Sequence, residues 1–389
     1  MRRRTVYLML AASGLGAMSY GTMFTVVDDF RDSYGISESR LGLILGVGFI
    51  AGFLAQVFLA PLADKGHAKK MILAGIAVQV VGNLTMGFGS TFWMLFAARF
   101  VMGIGGGMLS PAARRVIIVS DPRNMGSNLG LFVSFDVGGF ALGPVVSALT
   151  VDALGLAAPF LIVTAVMAVV GVGLVRTDIA ETDTADAPSQ RLAFDLFRLA
   201  PYAGIVIIGL SLFLMIGTFD TLWSVMMADI DAAPWIASIG ITIFALPMLI
   251  LGPVGGRLTQ RVGPYRAAIT GLSFAALCMV GYGTIASPHV MLGVGALHGI
   301  IDGLTITAGA TAIAMVVPHE RLAAAQGLYG GLQTVTGGVA SVAAGWSYGA
   351  FGRAGSFIGA AIGSLALIAT GAWLARSHLG ETPTVHARD

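Results

Sequence analysis

The chain has 389 residues, of which 56% are hydrophobic and only 11% are charged, and its formal net charge is +2. Soluble domains carry about 25% charged residues, so most of this chain cannot face water. The small net charge argues neither for nor against an anionic partner, but the sequence shows no basic face for nucleic acid, since membrane topology accounts for the basic residues.

Apolar segments follow one another along the whole chain. A membrane-spanning helix needs about 20 mostly apolar residues, and twelve such segments fit. They lie near 5–27, 41–62, 70–89, 92–116, 127–150, 156–175, 203–226, 235–256, 266–286, 289–316, 322–348 and 354–376. No small-residue cleavage site follows the first segment, so we interpret it as a span and not as a signal peptide. We therefore predict an all-α integral membrane protein with twelve transmembrane helices.

The longest polar stretch divides the chain into two halves. We predict an N-terminal half over 1–175, a cytoplasmic linker over 176–200 and a C-terminal half over 201–389. The linker is rich in Asp, Thr and Ser, so we expect it to be solvated, with a short surface helix at Leu192–Leu199.

An internal repeat relates the two halves. A shift of 196 residues places Pro122 on Pro318 and Gly103 on Gly299. This period is far too long for a solenoid, and in so apolar a chain it predicts two pseudo-symmetric six-helix bundles that face a central path.

Basic residues lie mostly on one side of the predicted helices. With both termini in the cytoplasm, only Arg31, Arg40 and Arg353 fall outside and Arg99 falls within a span; the other 18 Lys and Arg are cytoplasmic. The positive-inside rule therefore predicts this orientation. We expect a multi-pass protein of the plasma membrane, specifically the bacterial inner membrane.

The loop between the second and third spans has a recognisable sequence. Residues Ala60–Lys65 and Gly66 resemble the signature of the major facilitator superfamily, roughly G-x-L-A-D-R-x-G-R-R, although Ala60 replaces the first glycine. The second-half counterpart, Gly256–Gly263, keeps both glycines but has Gln260 where the acid would stand. The resemblance extends over the whole chain and implies the major facilitator fold and transport by alternating access.

In that family the loop acid helps to hold the cytoplasmic side closed. The resemblance implies that Asp64 pairs with Arg114, Arg115 or the N-terminus of a neighbouring helix; the alternative is a solvated loop charge. We call the residues that would hold the cytoplasmic side closed the latch. The predicted latch residues are Asp64, Lys65, Arg114, Arg115, Gly256 and Arg261.

Two further segments resemble motifs of the drug:proton antiporters within this superfamily. Arg99–Gly106 resembles R-x-x-Q-G-x-G, with Met102 in place of the glutamine, and Gly139–Pro144 resembles G-x-x-x-G-P. Small residues four apart let helices pack backbone to backbone, and proline bends a helix. The predicted packing residues are Gly103, Gly139, Gly143 and Pro144.

Ionisable residues within spans are the strongest functional signal, because a charge inside a bilayer is costly. We predict a role in proton coupling for Arg99, Asp136, Asp220, His298 and Asp302. Burial favours the neutral form of a carboxyl group, and His298 and Asp302 are four residues apart on one helix face. Each of these residues has an alternative role that does not involve protons. His298 and Asp302 could form a purely structural pair, and Arg99 could form a structural ion pair with Asp136 or Asp302. Asp220 could lie near the outer lipid headgroups.

Several polar and aromatic residues are candidates for a substrate cavity: Tyr20, Phe24, Trp223, Tyr329 and Gln333. Apolar pockets with few polar groups suit amphipathic small molecules, although each residue could instead serve helix–helix contacts. No metal-ligand cluster, Walker loop or hydrolase motif occurs, so we expect no enzyme activity and no cofactor besides the proton gradient. We expect a monomer whose partners are a small-molecule substrate, protons and the lipid bilayer.

The sequence thus predicts a transporter for proton-coupled efflux of small hydrophobic or cationic compounds. A proton symporter or facilitator of a small organic anion or metabolite, with Arg99 holding a carboxylate, is the alternative. A non-transporting membrane sensor is a more remote one.

Overall fold

Every regular element in the described part of the chain is a helix. The computed structural model describes residues 3–179, 181 and 192–383. The α-helices are α1 (Arg3–Tyr34), α2 (Glu38–Phe58), α3 (Ala68–Phe88), α4 (Phe92–Ser120), α5 (Met125–Leu154), α6 (Ala158–Val175), α7 (Ala200–Asp229), α8 (Pro234–Val262), α9 (Pro264–Thr284), α10 (Pro288–Thr305), α11 (Ala308–Val316) and α12 (Leu322–Leu374). The predicted all-α class is confirmed.

The helix positions follow the predicted spans. Ten helical stretches among the described residues are long and apolar enough to cross a membrane. One of them comprises α10 and α11, which together fill the span predicted at 289–316. Helix α12 covers the last two predicted spans except for residues 375 and 376, and α1, which is not among the ten stretches, contains the first.

Glycines with a positive φ lie between consecutive helical segments at five places in the described part of the chain, including Gly35 after α1 and Gly155 after α5. Gly66 (φ 75°) precedes α3, Gly263 (φ 94°) joins α8 to α9, and Gly352 (φ 68°) interrupts α12. A side chain would strain each of these positions, since a positive φ favours glycine. Gly352 therefore divides α12 into two arms, 322–351 and 353–374.

The chain forms two compact units whose boundaries cut through α5 and α12. Unit 1 comprises Met1–Pro122, Phe135–Phe194 and Pro318–Gly331, and unit 2 comprises Arg123–Ser134, Asp195–Val317 and Leu332–Asp389. Unit 1 thus includes the start of α12, and unit 2 includes the start of α5. The predicted division into halves at 175 and 201 remains a prediction.

Each unit has its own helix packing. In unit 1, α4 packs mainly on α2 and α3, and buried side chains such as Met23, Phe30 and Phe160 form part of the core. In unit 2, α10 packs mainly on α8 and α9. Burial of apolar side chains within each unit leaves the remaining apolar surface for lipid.

The predicted linker is described only at its two ends. The surface helix expected at Leu192–Leu199 is a shorter 3₁₀ segment, Phe194–Arg198, in which Leu196 is buried. The rest of the linker, at 180 and 182–191, lies outside the described residues.

Candidate functional site

Asp64 contacts α4 and α12, two helices of unit 1 that are distant in sequence. It lies in the 3₁₀ segment Ala60–Lys65 and has no exposed surface. One carboxylate oxygen accepts the N–H of Ala323 (2.9 Å) and the other accepts the N–H of Ala324 (2.7 Å), in the first turn of α12. Arg115 Nε lies 3.3 Å from Oδ1. The carboxylate therefore caps α12 and neutralises a buried guanidinium. We call this arrangement the Asp64 joint.

The neighbouring Arg114 has different partners. Asp136 and Tyr329, both in unit 1, attract its guanidinium. Asp136 Oδ1 also accepts a 2.6 Å hydrogen bond from Ser13 Oγ of α1. Of the two arginines considered for Asp64, Arg115 is thus the one with a short ion-pair distance to it, and Lys65 is half-buried at the end of the 3₁₀ segment.

A neutral counterpart of this joint occurs in unit 2. Gln260, which the 196-residue repeat places on Asp64, accepts the N–H of Gly126 at the start of α5 through Oε1 (3.1 Å). Gly256 lies so close to Gly126 that a Cβ on either glycine would overlap the carbonyl group of the other. Arg261, which was predicted as a latch residue, is exposed. The repeat therefore keeps a side-chain cap at a helix N-terminus, but with one N–H group instead of two and without the charge.

A second pair of glycines continues this contact one turn further along. A Cβ at Gly130 would overlap the carbonyl of Gly252, and a Cβ at Gly252 would lie 2.6 Å from the carbonyl oxygen of Gly130. The start of α5 and the end of α8 therefore meet backbone to backbone, as small residues allow.

Arg99 is fully buried in unit 1 without a hydrogen-bond acceptor among the described residues. Its guanidinium carbon lies 3.6 Å from the centroid of the Tyr20 ring and 5.6 Å from that of Phe49. Aromatic faces attract the cation, but they leave its N–H donors unused. Of the two acids considered as its ion-pair partners, Asp136 accepts a hydrogen bond from Ser13 within unit 1, and Asp302 lies beside His298 in unit 2.

His298 and Asp302 form a pair in unit 2 that is closed off from solvent. Both side chains are fully buried, and His298 Nε2 lies 3.6 Å from Asp302 Oδ2. Tyr282 Oη of α9 lies 3.2 Å from His298 Nδ1. The rings of Phe219 and Phe244 flank the imidazole at 6.4 and 5.1 Å between centroids. Neither carboxylate oxygen of Asp302 has a hydrogen-bond partner in the described part of the chain.

The remaining ionisable candidate is placed differently. Asp220 follows Phe219 in α7, in the half of the helix towards Asp229, and is exposed. It therefore does not belong to the closed His298–Asp302 pair. Its role in proton coupling stays a prediction.

Most substrate-cavity candidates are buried in helix contacts. Trp223 Nε1 donates to the carbonyl of Ala237 (2.9 Å), and Gln333 Nε2 donates to that of Gly209 (3.2 Å). Tyr329 is also buried, while Tyr20 covers Arg99. The side chain of Phe24 lies outside the described residues. A substrate role for these groups stays a prediction.

The antiporter-like motif of α5 lies against α1. A Cβ at Gly139 would overlap the carbonyl of Gly14, and one at Gly143 would overlap the backbone at Thr22. Pro144 follows within α5. Gly103 of α4 likewise approaches the carbonyl of Gly48 in α2. These glycines permit close helix packing within unit 1.

We expect Gly139→Ala to destabilise the protein by about 1–3 kcal/mol, because the new methyl group must displace the backbone of α1. The matched control is Gly293→Ala in α10, where a Cβ would meet no atom within 4 Å. Alanine there should be neutral or stabilise by up to about 1 kcal/mol through helix propensity. Thermal unfolding of both variants in detergent checks the pair; equal melting temperatures would contradict the packing role.

The sequence of the chain is similar to those of known membrane transporters. A profile of the Major Facilitator Superfamily matches residues 8–219 and 205–388. The multidrug resistance protein MdtG of Yersinia enterocolitica is 25% identical over 317 residues, which cover 77% of this chain and 76% of that protein. MdtG of Serratia proteamaculans is 24% identical over 318 residues, with 77% of each chain covered.

Solved structures provide a likeness of fold. The fucose:proton symporter FucP of Escherichia coli superposes with a TM-score of 0.77 at 16% identity, covering 96% of this chain and 98% of its own. The human organic anion transporter MFSD10 also gives 0.77, at 14% identity, covering 95% and 99%. At such low identity these structures speak for the fold alone.

Proposed function

The chain belongs to the Major Facilitator Superfamily, and we propose that it exports small hydrophobic or cationic compounds in exchange for protons. The protein is a multi-pass membrane protein with the major facilitator fold predicted from its sequence, and fold and family are those of transporters. The relatives named as multidrug resistance proteins support the proposed substrate class. The antiporter-like motif at Gly139–Pro144 supports the exchange of substrate for protons.

The closed His298–Asp302 pair is the observation that carries the proposal. A buried carboxylate without hydrogen-bond donors is costly unless a proton or a cation neutralises it. The imidazole, 3.6 Å away, is a second group that can hold a proton. The pair can therefore bind and release one proton in an apolar surrounding, as proton coupling requires.

The Asp64 joint supports alternating access. In the orientation predicted from the basic residues, the termini and this joint lie on the cytoplasmic side of the bacterial inner membrane. Release of α12 from Asp64 would then open the cytoplasmic end of the path, with the protein acting as a monomer. The joint would thus be a gate, and the His298–Asp302 pair the proton site.

Flux through the purified protein tests the proposal. Thermal-shift screening would first select a ligand among lipophilic cations, since binding to the native state raises the melting temperature. Proteoliposomes with an imposed pH gradient should then move that cation against the proton flow, and collapse of the gradient by an ionophore should stop it. Cation flux that is indifferent to the gradient would contradict proton exchange.

Arg99 favours a second candidate function, the transport of a small organic anion. A buried guanidinium with unused donors matches a carboxylate in charge and geometry. This alternative predicts that Arg99→Ala lowers carboxylate uptake at least about a hundredfold, because the carboxylate would lose a buried, charged hydrogen-bond partner.

The matched control is Arg40→Ala, which removes an exposed arginine that lies over Phe92 and should leave uptake within about twofold. Uptake of radiolabelled carboxylates into proteoliposomes distinguishes anion transport from cation export. A wild-type protein that moves lipophilic cations and no carboxylate would exclude the anion alternative.

A further inference from the structure

The N-terminus of α3 is capped by a residue from the linker. The local N-cap residue, His67, makes no side-chain capping bond. Instead, the carboxylate of Glu181 accepts the N–H of Ala68 (2.7 Å) on one oxygen and that of Lys69 (2.8 Å) on the other. The first N–H groups of a helix lack partners within it, and a carboxylate there also interacts favourably with the helix dipole.

The same turn of α3 is tied to the end of α6. Lys69 Nζ donates to the carbonyl of Val175 (3.0 Å), the last residue of α6. Glu181 and Lys69 thus fasten the beginning of the linker to α3. The linker is not free of the helices here, in contrast to the solvated segment that its composition predicts.

This turn of α3 adjoins the Asp64 joint. Only Lys65, Gly66 and His67 separate Asp64 from Ala68, and Ala68 is fully buried. A shift of the first turn of α3 must therefore move the carboxylate that holds α12.

The other described end of the linker reaches the same joint. Arg321, the residue immediately before α12, donates from Nη2 to the carbonyl of Leu192 (2.7 Å). The same guanidinium attracts Asp64. Two separate linker contacts therefore lie on either side of the bond between Asp64 and α12.

We propose that Glu181 is a positioning residue of the Asp64 joint: by capping α3 it holds Asp64 against α12 and makes the joint harder to open. The inference rests on the proposed alternating access, in which this joint opens and closes. Because Glu181 is exposed whereas Asp64 is buried, salt should screen the Glu181 contacts far more than the bond from Asp64 to α12.

Cysteine labelling measures the opening of the joint without any need for transport. The only cysteine, Cys278, is buried and can be replaced by serine. Ala60→Cys then places a thiol in the joint, where Ala60 is fully buried and lies beside Gly327 of α12. The rate of maleimide labelling in proteoliposomes reports how often this site becomes accessible.

Glu181→Gln keeps the size of the side chain but loses the charge and one acceptor, so we expect labelling to accelerate about fivefold. The matched control is Asp178→Asn, an equal charge change at an exposed residue three positions away, which should leave the rate unchanged. In an Asp64→Asn background, Glu181→Gln should add nothing, because it acts through Asp64. High salt should accelerate labelling in the parent protein more than in Glu181→Gln.

Equal labelling rates in Glu181→Gln and Asp178→Asn would overturn the proposal, and so would a full additional effect in the Asp64→Asn background. Thermal unfolding of each variant identifies any general loss of folding. If labelling behaves as expected while the protein shows no proton-driven flux, the proposed proton coupling fails and the role of Glu181 stands. If flux is proton-driven and Glu181→Gln does not change the labelling rate, the proposed proton coupling stands and the role of Glu181 fails.

Discussion

Replacing Asp64 with asparagine is expected to lower proton-driven transport at least about tenfold while the protein still reaches the membrane. The single amide oxygen can accept only one of the two N–H groups of Ala323 and Ala324, and the substitution removes the negative charge that lies 3.3 Å from Arg115 Nε. Loss of one member of a buried ion pair costs about 3–5 kcal/mol. The initial flux per amount of reconstituted protein measures the effect.

Two control variants separate this effect from general damage. Gln260→Ala removes the repeat-related neutral cap of α5, and loss of such a cap costs about 1 kcal/mol, so we expect a smaller decrease in flux. Asp32→Asn changes an exposed acid whose ion pair with Arg31 is solvated, and this variant should leave the flux unchanged. Turnover at the wild-type rate in Asp64→Asn would show that the joint does not control transport.

Replacing Asp302 with asparagine is expected to abolish pH-driven transport and to preserve the exchange of substrate for substrate. Asparagine has nearly the same shape but cannot take up or release a proton, so the His298–Asp302 pair would lose its capacity to change charge. A change of this kind should decrease gradient-driven accumulation at least about a hundredfold. Counterflow in the absence of a pH gradient measures the exchange that should persist.

The variant Asp152→Asn provides the matched comparison, since Asp152 is an exposed acid near the end of α5. It should keep both pH-driven flux and exchange. Loss of exchange together with pH-driven flux in Asp302→Asn would instead indicate a structural pair, the alternative considered from the sequence. Full pH-driven flux in the variant would assign proton coupling to another acid, with Asp136 and Asp220 the next candidates.

Much of the fold follows from the hydropathy of the chain. Long apolar segments must satisfy their backbone groups as helices in a bilayer, and the helices accordingly lie where the spans were predicted. The family resemblance also implied the surroundings of Asp64, because an acid in such a loop can pair with a helix N-terminus or an arginine. Both kinds of partner are present, in Ala323 and Ala324 and in Arg115.

Other parts of the site could not be predicted, since hydropathy does not say which helix faces which. Tyr282 contacts His298 from the preceding helix, and only the packing of α9 on α10 brings them together. Glu181 lies 113 residues from Ala68 in a segment whose composition indicates solvation. The repeat aligns Gln260 with Asp64, but the contact with Gly126 depends on the close approach of α5 and α8.

The glycine contact between α5 and α8 has a kinetic consequence. Where Gly126 faces Gly256 and Gly130 faces Gly252, no side-chain ridges of one helix enter grooves of the other, as they do in ordinary helix packing. The four glycines themselves have no rotamer to change when the two helices slide or rotate, although the bond from Gly126 to Gln260 has to break. Larger residues at these four positions would have to displace the facing backbone, as at Gly139, so they would change both the stability of this helix contact and the rate at which the two helices rearrange.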